Sequence, residues 1–232
     1  MKIAILSDIH ANDIALKAVL KETDDLNIDK ILFLGDYVGY YYNADVIFKL
    51  IKNYDKEMVK GNHEILLEES LKNRKRALEI KMKYGSGIEY AKKLLSVREI
   101  DYLINLPDKN LLEFKGIKIL ICHGSPWDKG KYIYPDSPDE LKNRALGYEA
   151  DFVFIGHTHY PFIYEYNNKT LINPGSVGQN RKTGGVANWA FLDLEKNRYM
   201  IKKTYYDKEK LLEQVKRIDF DNKYLVDVLN RE

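Results

Sequence analysis

The chain has 232 residues, 45% of them hydrophobic, which is enough to form one large domain, residues 1–232, with a sizeable core. No apolar run reaches the ~18 residues needed to cross a membrane, and Asp8 interrupts the apolar N-terminus too early for a signal peptide. We therefore expect a cytoplasmic protein that has no membrane contact. The formal net charge of +2 gives no indication of a nucleic-acid surface. The single cysteine, Cys122, excludes an internal disulfide framework and a zinc site built from cysteines.

Strands and helices alternate over the first 60 residues. The apolar runs at 2–7 and 30–34 predict buried strands, and the segment 12–23 between them has helical spacing. Residues 44–53 predict a second helix, and residues 57–60 predict a short third strand. This alternation favours an α/β fold.

The rest of the chain begins with a charged segment, from 64 to about 105, that is interrupted by "YGSG" and predicts an inserted lid of two or three helices. Antiparallel strands follow it. The sequence predicts hairpins at 110–123 and 162–175 and an antiparallel pair at 188–206. An amphipathic helix is predicted from about 207 to 230. We therefore expect a mixed sheet that is covered by helices.

Polar residues of metal-ligating type follow the predicted strands, and every histidine of the chain is among them. These residues are Asp8, His10, Asp36, Asn62, His63, His123, His157 and His159. Open α/β sheets build ligand sites at the carboxyl ends of their strands. If the segment 155–161 stays extended, His157 and His159 point to the same face of the sheet. A polar turn that happens to contain histidine would explain one such pair, but it would not explain all five histidines.

Imidazole and carboxylate groups together suit divalent ions such as Mn²⁺, Fe²⁺, Co²⁺, Ni²⁺ or Zn²⁺. Without His63, the set still contains too many ligands for one open site and about the right number for two ions that share a bridging carboxylate. Two ions ~3.5–4 Å apart can hold both a nucleophilic hydroxide and a phosphate. Two carboxylates leave part of the charge of two such ions uncancelled, so the site would attract an anionic substrate.

Five short motifs follow one another in a fixed order. They are "DIH" (8–10), "GDYVG" (35–39), "GNHE" (61–64), "HGSPW" (123–127) and "GHTH" (156–159). In this order they resemble the signature of the calcineurin-like metallophosphoesterase superfamily, from Lys2 to about Leu194. Longer stretches are similar to its compact prokaryotic phosphodiesterase branch, which includes YfcE-like proteins and some diadenosine tetraphosphatases. The resemblance implies a four-layer α/β fold of two mixed β-sheets flanked by helices. It also implies hydrolysis of a small or nucleotide-like phosphodiester by attack of a metal-bound hydroxide.

The resemblance implies a role for each matching residue. The ligands of one ion would be Asp8, His10 and His159, those of the other Asn62, His123 and His157, with Asp36 as the bridge. His63 matches the catalytic histidine, which would protonate the leaving oxygen or stabilise charge on the phosphoryl group. In an extended turn, His63 would point away from Asn62 towards the substrate, and Glu64 would orient and charge its ring. The alternative is that His63 is merely buried.

The chain departs from the protein-phosphatase pattern of the superfamily. Gly39 and Tyr40 stand where that pattern has Asp-Arg, and Lys60 stands where it has a second arginine. Because arginine and lysine are not interchangeable at a bidentate phosphate site, a phosphodiester or nucleotide is favoured over a phosphomonoester. Arg181 is predicted to supply a replacement contact to the substrate, and a solvated loop arginine is the alternative.

Other functions remain open at this point: a phosphomonoesterase or protein-phosphatase-like enzyme, a non-catalytic scaffold of the same fold, and a nuclease. The complete ligand set argues against the scaffold, and the lack of a basic surface argues against the nuclease. The tyrosines of "YVGYYY" are predicted either to line the pocket and stack on a base, or to serve ordinary packing. Cys122 should point into the core, away from His123. The sequence leaves open which metal is native and whether copies of the chain associate.

Overall fold

The structure is a computed structural model that describes residues 1–232. It contains ten strands in two five-stranded sheets. The strands are β1 (Lys2–Leu6), β2 (Lys30–Phe33), β3 (Lys56–Met58), β4 (Lys109–Phe114), β5 (Ile117–Cys122), β6 (Phe152–Phe154), β7 (Phe162–Tyr166), β8 (Lys169–Asn173), β9 (Val186–Asp193) and β10 (Arg198–Tyr205). The first sheet has the order β10-β9-β1-β2-β3 and the second the order β4-β5-β6-β8-β7.

Each sheet contains three adjacent parallel strands. Strands β1, β2 and β3 are parallel in the first sheet, and β5, β6 and β8 are parallel in the second. Strands β9, β4 and β7 pair antiparallel with β1, β5 and β8, so both sheets are mixed. The carboxyl ends of the parallel strands therefore lie along one edge of each sheet, where ligand sites form.

Nine helices cover the sheets. They are α1 (Asp13–Asp25), α2 (Ala44–Ile51), α3 (Asn62–Lys72), α4 (Arg74–Tyr84), α5 (Gly87–Leu94), α6 (Val97–Ile104), α7 (Asp139–Leu146), α8 (Lys208–Ile218) and α9 (Lys223–Leu229). Helix α7 was not predicted from the sequence. None of the nine is both long and apolar enough to span a bilayer.

Alternating residues of the buried strands explain the layers. Ile3 and Ile5 of β1 pack between the two sheets, whereas Ala4 and Leu6 pack on the other face, against helices α1 to α6. In β5, Cys122 faces α7 on the outer side of the second sheet. The predicted four-layer α/β fold, two mixed sheets flanked by helices, is confirmed.

The two predicted hairpins are present, and their turns explain why. Lys115 and Gly116 both have positive φ, 53° and 81°, and Asn167 and Asn168 have φ of 48° and 58°. A two-residue hairpin turn with positive φ at both positions matches the twist of the strands, and Gly and Asn tolerate that conformation.

The segment predicted as a lid of two or three helices contains four, and it starts at Asn62. Breaks at Asn73, Gly85 and Ser96 separate the helices, because Asn73 and Ser96 accept N-capping hydrogen bonds and Gly85 has a positive φ of 82°. Their inner faces belong to the same core cluster as Leu6 of β1. The segment is therefore a layer of the fold, and not an independent cover.

The predicted C-terminal helix is also divided, into α8 and α9. Helix α8 ends at Ile218, and the carboxylate of its C-cap residue Asp219 accepts hydrogen bonds from the hydroxyls of Ser86 (2.6 Å) and Tyr42 (2.9 Å). Asn222 then caps α9 by accepting from the backbone N–H of Leu225. Because Asp219 is held by distant parts of the chain, the helical periodicity of the sequence does not show the break and predicts one helix.

Candidate metal centre

The predicted ligands meet between the carboxyl edges of the two sheets, and their backbone is unusual. Asp8, His10, Asp36, His157 and His159 have φ between 50° and 67°. Residues other than glycine rarely adopt this left-handed region, and such strain concentrates at functional sites. The segment 155–161 therefore does not stay extended, and the condition under which His157 and His159 would point to the same face is not met. His157 and His159 turn towards two different groups of side chains.

The first group contains Asp8, His10 and His159. The Nε2 atom of His159 lies 3.2 Å from Nε2 of His10 and 3.3 Å from Oδ1 of Asp8. All three side chains are buried. Oδ2 of Asp8 accepts hydrogen bonds from the Ser7 hydroxyl (2.5 Å) and the His157 backbone N–H (3.1 Å), which leaves Oδ1 without a partner.

The second group contains Asn62, His123 and His157. Nε2 of His123 lies 2.9 Å from the amide oxygen of Asn62 and 3.2 Å from Nδ1 of His157. His123 is fully buried, directly after β5, with its ring turned away from the Cys122 side chain in the core.

Asp36 lies between the two groups. Its Oδ2 atom is 3.7 Å from Nε2 of His10 in the first group and 3.3 Å from Nε2 of His123 in the second. Its Oδ1 atom accepts a hydrogen bond of 2.8 Å from the backbone N–H of His63, in the first turn of α3. The positive end of that helix supports a carboxylate at this place.

Backbone carbonyls fix the tautomers of three histidines. Nδ1 of His10, His123 and His159 lies 3.3, 2.8 and 2.6 Å from the carbonyl oxygens of Val38, Leu34 and Gln179, respectively. A carbonyl only accepts, so Nδ1 must donate, and Nε2 of each neutral ring is left with a lone pair that faces the cluster.

These donor atoms fit divalent ions. Metal–ligand distances of about 2.0–2.2 Å put neighbouring ligand atoms about 3.0–3.5 Å apart, close to most of the spacings in both groups. The facing ring nitrogens of His10 and His159, together with the unpartnered Oδ1 of Asp8, form a buried set of donor atoms that a cation would satisfy. The structure therefore brings together all seven residues that the sequence predicts as ligands.

The electrostatics of the cluster favour charged carboxylates, whereas the histidines differ from one another. Burial opposes ionisation of Asp8 and Asp36, but the neighbouring His159 and His123 rings hold the pKa of each carboxyl well below its usual range. Burial and His123 lower the pKa of His157 to about 4. His123 itself differs: burial works against its protonation, but the charge of Asp36 raises its pKa to about 9.

His63 lies beside both groups, but not in an extended turn as predicted. It is the second residue of α3, where successive side chains diverge by about 100°, so it still points away from Asn62. Its ring is 4.6 Å from the His10 ring and 4.9 Å from that of Tyr40, and one ring nitrogen could also join His10 and Asp36 in a ligand group. Burial lowers its pKa.

Gly39 leaves room for the His63 ring. A Cβ atom at Gly39 would lie 2.0 Å from Nδ1 of His63, and the φ of Gly39 is 86°. An aspartate at this position, as in the protein-phosphatase pattern, would therefore displace His63. Nδ1 of His63 is buried and has no hydrogen-bond partner.

Glu64 makes no hydrogen bond to the His63 ring, so the prediction that it orients and charges that ring is wrong. Its carboxylate accepts hydrogen bonds from the backbone N–H groups of Asp36 (2.9 Å), Tyr37 (2.8 Å) and Gly61 (2.9 Å). Burial raises its pKa to about 7, with the charge of Asp36 acting in the same direction. Glu64 thus holds the loop of Asp36 against the start of α3.

Tyrosines surround the cluster. Tyr40, predicted as a possible pocket residue, lies edge-on to His10 at 4.7 Å, whereas Tyr41 and Tyr42 pack against α8 and α9. Tyr132 and Tyr224 also lie at the rim and were missed. Tyr132 stacks on the His157 ring at 3.9 Å, but no periodicity or motif marks it in the sequence.

Arg181 lies beside these tyrosines, half-buried, with its Nε unpartnered. Burial opposes its charge, but Tyr224, Tyr40 and Asp8 raise its pKa, so it stays cationic. The alternative of a freely solvated loop arginine does not hold.

A groove of about 700 Å³ that includes Ile117 and Phe152 lies at the opposite, amino-terminal edge of the second sheet and contains none of the predicted site residues.

Two mixed sheets with a histidine and carboxylate cluster at their carboxyl edges are the architecture of the metallophosphoesterases. The chain belongs to the calcineurin-like phosphoesterase superfamily, whose domain model matches residues 1–197. It is 33% identical to an uncharacterized protein of Methanocaldococcus jannaschii, over 92% of this chain and 91% of that protein.

Solved structures share the fold. A hypothetical protein from Pyrococcus horikoshii OT3 aligns with a TM-score of 0.85 at 20% identity, over 99% of this chain and 98% of that chain. A metallophosphoesterase from Sphaerobacter thermophilus aligns with a TM-score of 0.76 at 25% identity, over the same shares. The phosphoesterase Yfce from E. coli aligns at 0.51 and 17% identity, over 89% of this chain and 100% of that chain. The likeness to the compact prokaryotic branch is thus confirmed at the level of the fold.

Proposed function

We propose that this protein is a two-metal phosphodiesterase that hydrolyses a small or nucleotide-like phosphodiester. The observation that carries the proposal is the position of Asp36 Oδ2, which is shared by two sets of buried donor atoms. One side chain in contact with both sets is the arrangement that two ions with a bridging carboxylate require.

The seven side chains would hold two divalent transition ions, and Mn²⁺, Fe²⁺, Co²⁺, Ni²⁺ and Zn²⁺ all suit their mixed nitrogen and oxygen donors. When bound, the ions would supply Lewis-acid activation of water and positive charge for the phosphate. The chain's own contribution is to fix the ligands. The carbonyls of Val38, Leu34 and Gln179 hold three rings, and Glu64 holds the loop of Asp36.

His63 would act on the substrate. It lies next to the cluster on a helix that is anchored to Asp36, so its ring is held in place. From there it would donate a proton or a hydrogen bond to the leaving oxygen, or stabilise charge on the phosphoryl group.

The cationic groups near the cluster favour a diester. Lys60, at the position of a phosphatase arginine, donates to the carbonyl of Ile104 (2.9 Å) and pairs with Asp108 at 3.9 Å, so its charge is engaged elsewhere. Arg181 remains as a cation at the rim and would contact the substrate. A phosphomonoester carries nearly two charges at pH 7, whereas a diester carries one, and one arginine suits the smaller charge.

There is space for the organic groups of such a diester. A groove of about 510 Å³ is lined by Tyr134, Tyr160 and Lys182, next in sequence to Arg181. Tyr134 stacks on Tyr132, which itself stacks on His157, so the groove lies one tyrosine beyond the rim of the cluster. It would accept one of the two ester groups.

The test is a metal-by-substrate screen with Mn²⁺, Co²⁺, Ni²⁺ and Zn²⁺ on metal-analysed protein. We expect kcat/KM for bis(4-nitrophenyl) phosphate to exceed that for 4-nitrophenyl phosphate with the same metal. Asp36→Ala is the inactive control for contaminating esterases. A monoester preference with every metal would contradict the diester assignment. Failure to hydrolyse either ester with two ions bound would favour a non-catalytic scaffold.

A further inference from the structure

The C-terminal residues form part of the site wall, although they lie beyond the family match at residues 1–197. Arg231 donates a hydrogen bond of 2.7 Å from Nη1 to the carbonyl oxygen of Arg181. The backbone N–H of Gly184 donates to the carbonyl of Arg231 at 2.8 Å. A Cβ atom at Gly184 would lie 1.8 Å from the carbonyl oxygen of Leu229, so only glycine permits this close approach. Helix α9 is thus fixed against the loop of Arg181.

Helix α9 brings Tyr224 to the rim of the cluster. Its ring centroid is 6.2 Å from that of Tyr40, which in turn lies 4.7 Å from His10. Its hydroxyl is hydrogen bonded, at 3.2 Å, to the side-chain oxygen of Gln179, whose carbonyl accepts from Nδ1 of His159. Tyr224 nevertheless remains 37% exposed, so part of its ring is free to contact a ligand.

A second partly free ring lies at the rim on another element. Tyr132, in the loop after β5, is 40% exposed and covers the His157 ring. Arg181 is close enough to both tyrosines to be affected by each of them. Aromatic rings beside a cation and a phosphate site recognise flat groups joined to a phosphate, because such groups stack on tyrosine at little cost in side-chain entropy.

We propose that Tyr224 is a specificity-determining residue that stacks on the flat organic group, a nucleobase or another aryl ring, of a phosphoester bound at the cluster. This inference rests on the proposed function, since the phosphate must be held at the metal centre. Helix α9, positioned by Arg231, is then the part of the chain that selects among phosphodiesters.

The experiment measures binding, so that its outcome does not depend on turnover. Dissociation constants for thymidine 5′-monophosphate, phenyl phosphate and inorganic phosphate are measured by calorimetry on Mn²⁺-loaded wild type, Tyr224→Ala and Tyr224→Phe. Phe220→Ala is the matched control, because Phe220 lies in the α8–α9 connection, four residues before Tyr224, and is 79% exposed. Metal content and thermal unfolding are recorded for every variant.

We expect Tyr224→Ala to raise the dissociation constant of at least one of the two aromatic ligands about 5-fold or more, since stacking contributes ~1–3 kcal/mol per base. The dissociation constant of inorganic phosphate should change less than about 2-fold. Tyr224→Phe and Phe220→Ala should bind all three ligands like wild type. A loss confined to thymidine monophosphate would identify the group as a nucleobase. The proposal is overturned if Tyr224→Ala changes the affinity for all three ligands equally. It is also overturned if Tyr224→Phe loses as much affinity for the aromatic ligands as Tyr224→Ala. A protein that hydrolyses no diester but shows the stacking loss would refute the proposed reaction alone.

Discussion

The Nε2 atoms of His10 and His159 lie 3.2 Å apart, and each ring donates its other nitrogen's proton to a backbone carbonyl. Burial lowers the pKa of His10 well below its usual range, so Nε2 of His10 keeps a lone pair that points at His159. A cation between the two rings would use this lone pair. The contact is therefore a place where both rings could hold one cation. Nε2 of His123 and Nδ1 of His157 are also 3.2 Å apart, but there the raised pKa of His123 puts a proton on its ring until a metal displaces it.

Replacing Asp36 should disturb both halves of the centre. The shared oxygen lies 3.7 Å from His10 and 3.3 Å from His123, so Asp36→Ala removes a ligand from each ion. We expect this variant to hold less than one ion per chain where wild type is saturated, as measured by elemental analysis after desalting. Asp8→Ala is the matched comparison and should lose one ion, because Asp8 belongs to one group. Two ions retained by Asp36→Ala would rule out a bridging role.

His63→Ala should lower kcat for an aryl diester by about 10²–10⁴-fold, the range typical of general acid–base groups. Its side chain is not among the seven predicted ligands, so metal content should stay at the wild-type value. Steady-state kinetics together with elemental analysis test this. Turnover at the wild-type rate would remove His63 from the reaction, and loss of an ion would assign it as a ligand.

Metal uptake should release a proton from His123. Its pKa of about 9 in the metal-free chain means that the ring is protonated at pH 7.5, and a ligand must be neutral. The affinity of the group Asn62, His123 and His157 for a metal ion should therefore rise with pH and level off above about 9. Calorimetry in two buffers of different ionisation enthalpy gives the number of protons released. We expect wild type to release about one more proton than His123→Asn. Equal release from both proteins would contradict this assignment.

Arg181→Ala should weaken substrate binding more than metal binding. A hydrogen bond to a charged partner contributes ~1.5–3 kcal/mol, so KM for the diester should rise about 10-fold or more. Metal content should not change, because Arg181 is not among the predicted ligands. Arg198→Ala, at an exposed position of β10, controls for loss of one positive charge. A KM that is the same in both variants would exclude contact between Arg181 and substrate.

The positions of the ligands could be predicted from the sequence, because strand order decides them. A ligand-type residue one to three positions after a parallel strand lies near the carboxyl edge, so Asp8, Asp36 and His123 are expected to converge there. The turns at Lys115-Gly116 and Asn167-Asn168 were predictable for a similar reason, since Gly116 and the two asparagines tolerate the positive φ that such turns require.

Features that depend on distant backbone could not be predicted. Glu64 was predicted to act on its sequence neighbour His63. Its carboxylate instead accepts hydrogen bonds from backbone N–H groups around Asp36, 28 residues away. The break between α8 and α9 depends on Asp219 bonding to Tyr42, 177 residues away. Tyr224 reaches the site only because helix α9 folds back onto the Arg181 loop. No local pattern in the sequence carries such information.

The most direct test of the central claim is a stepwise titration of metal-free protein with Mn²⁺, in which bound metal and hydrolysis of bis(4-nitrophenyl) phosphate are measured on the same samples. Because the cluster contains two donor sets that share Asp36, binding should saturate at two ions per chain. Turnover should follow the population that holds both ions. Saturation at one ion per chain, or full turnover with one ion bound, would contradict the two-metal account.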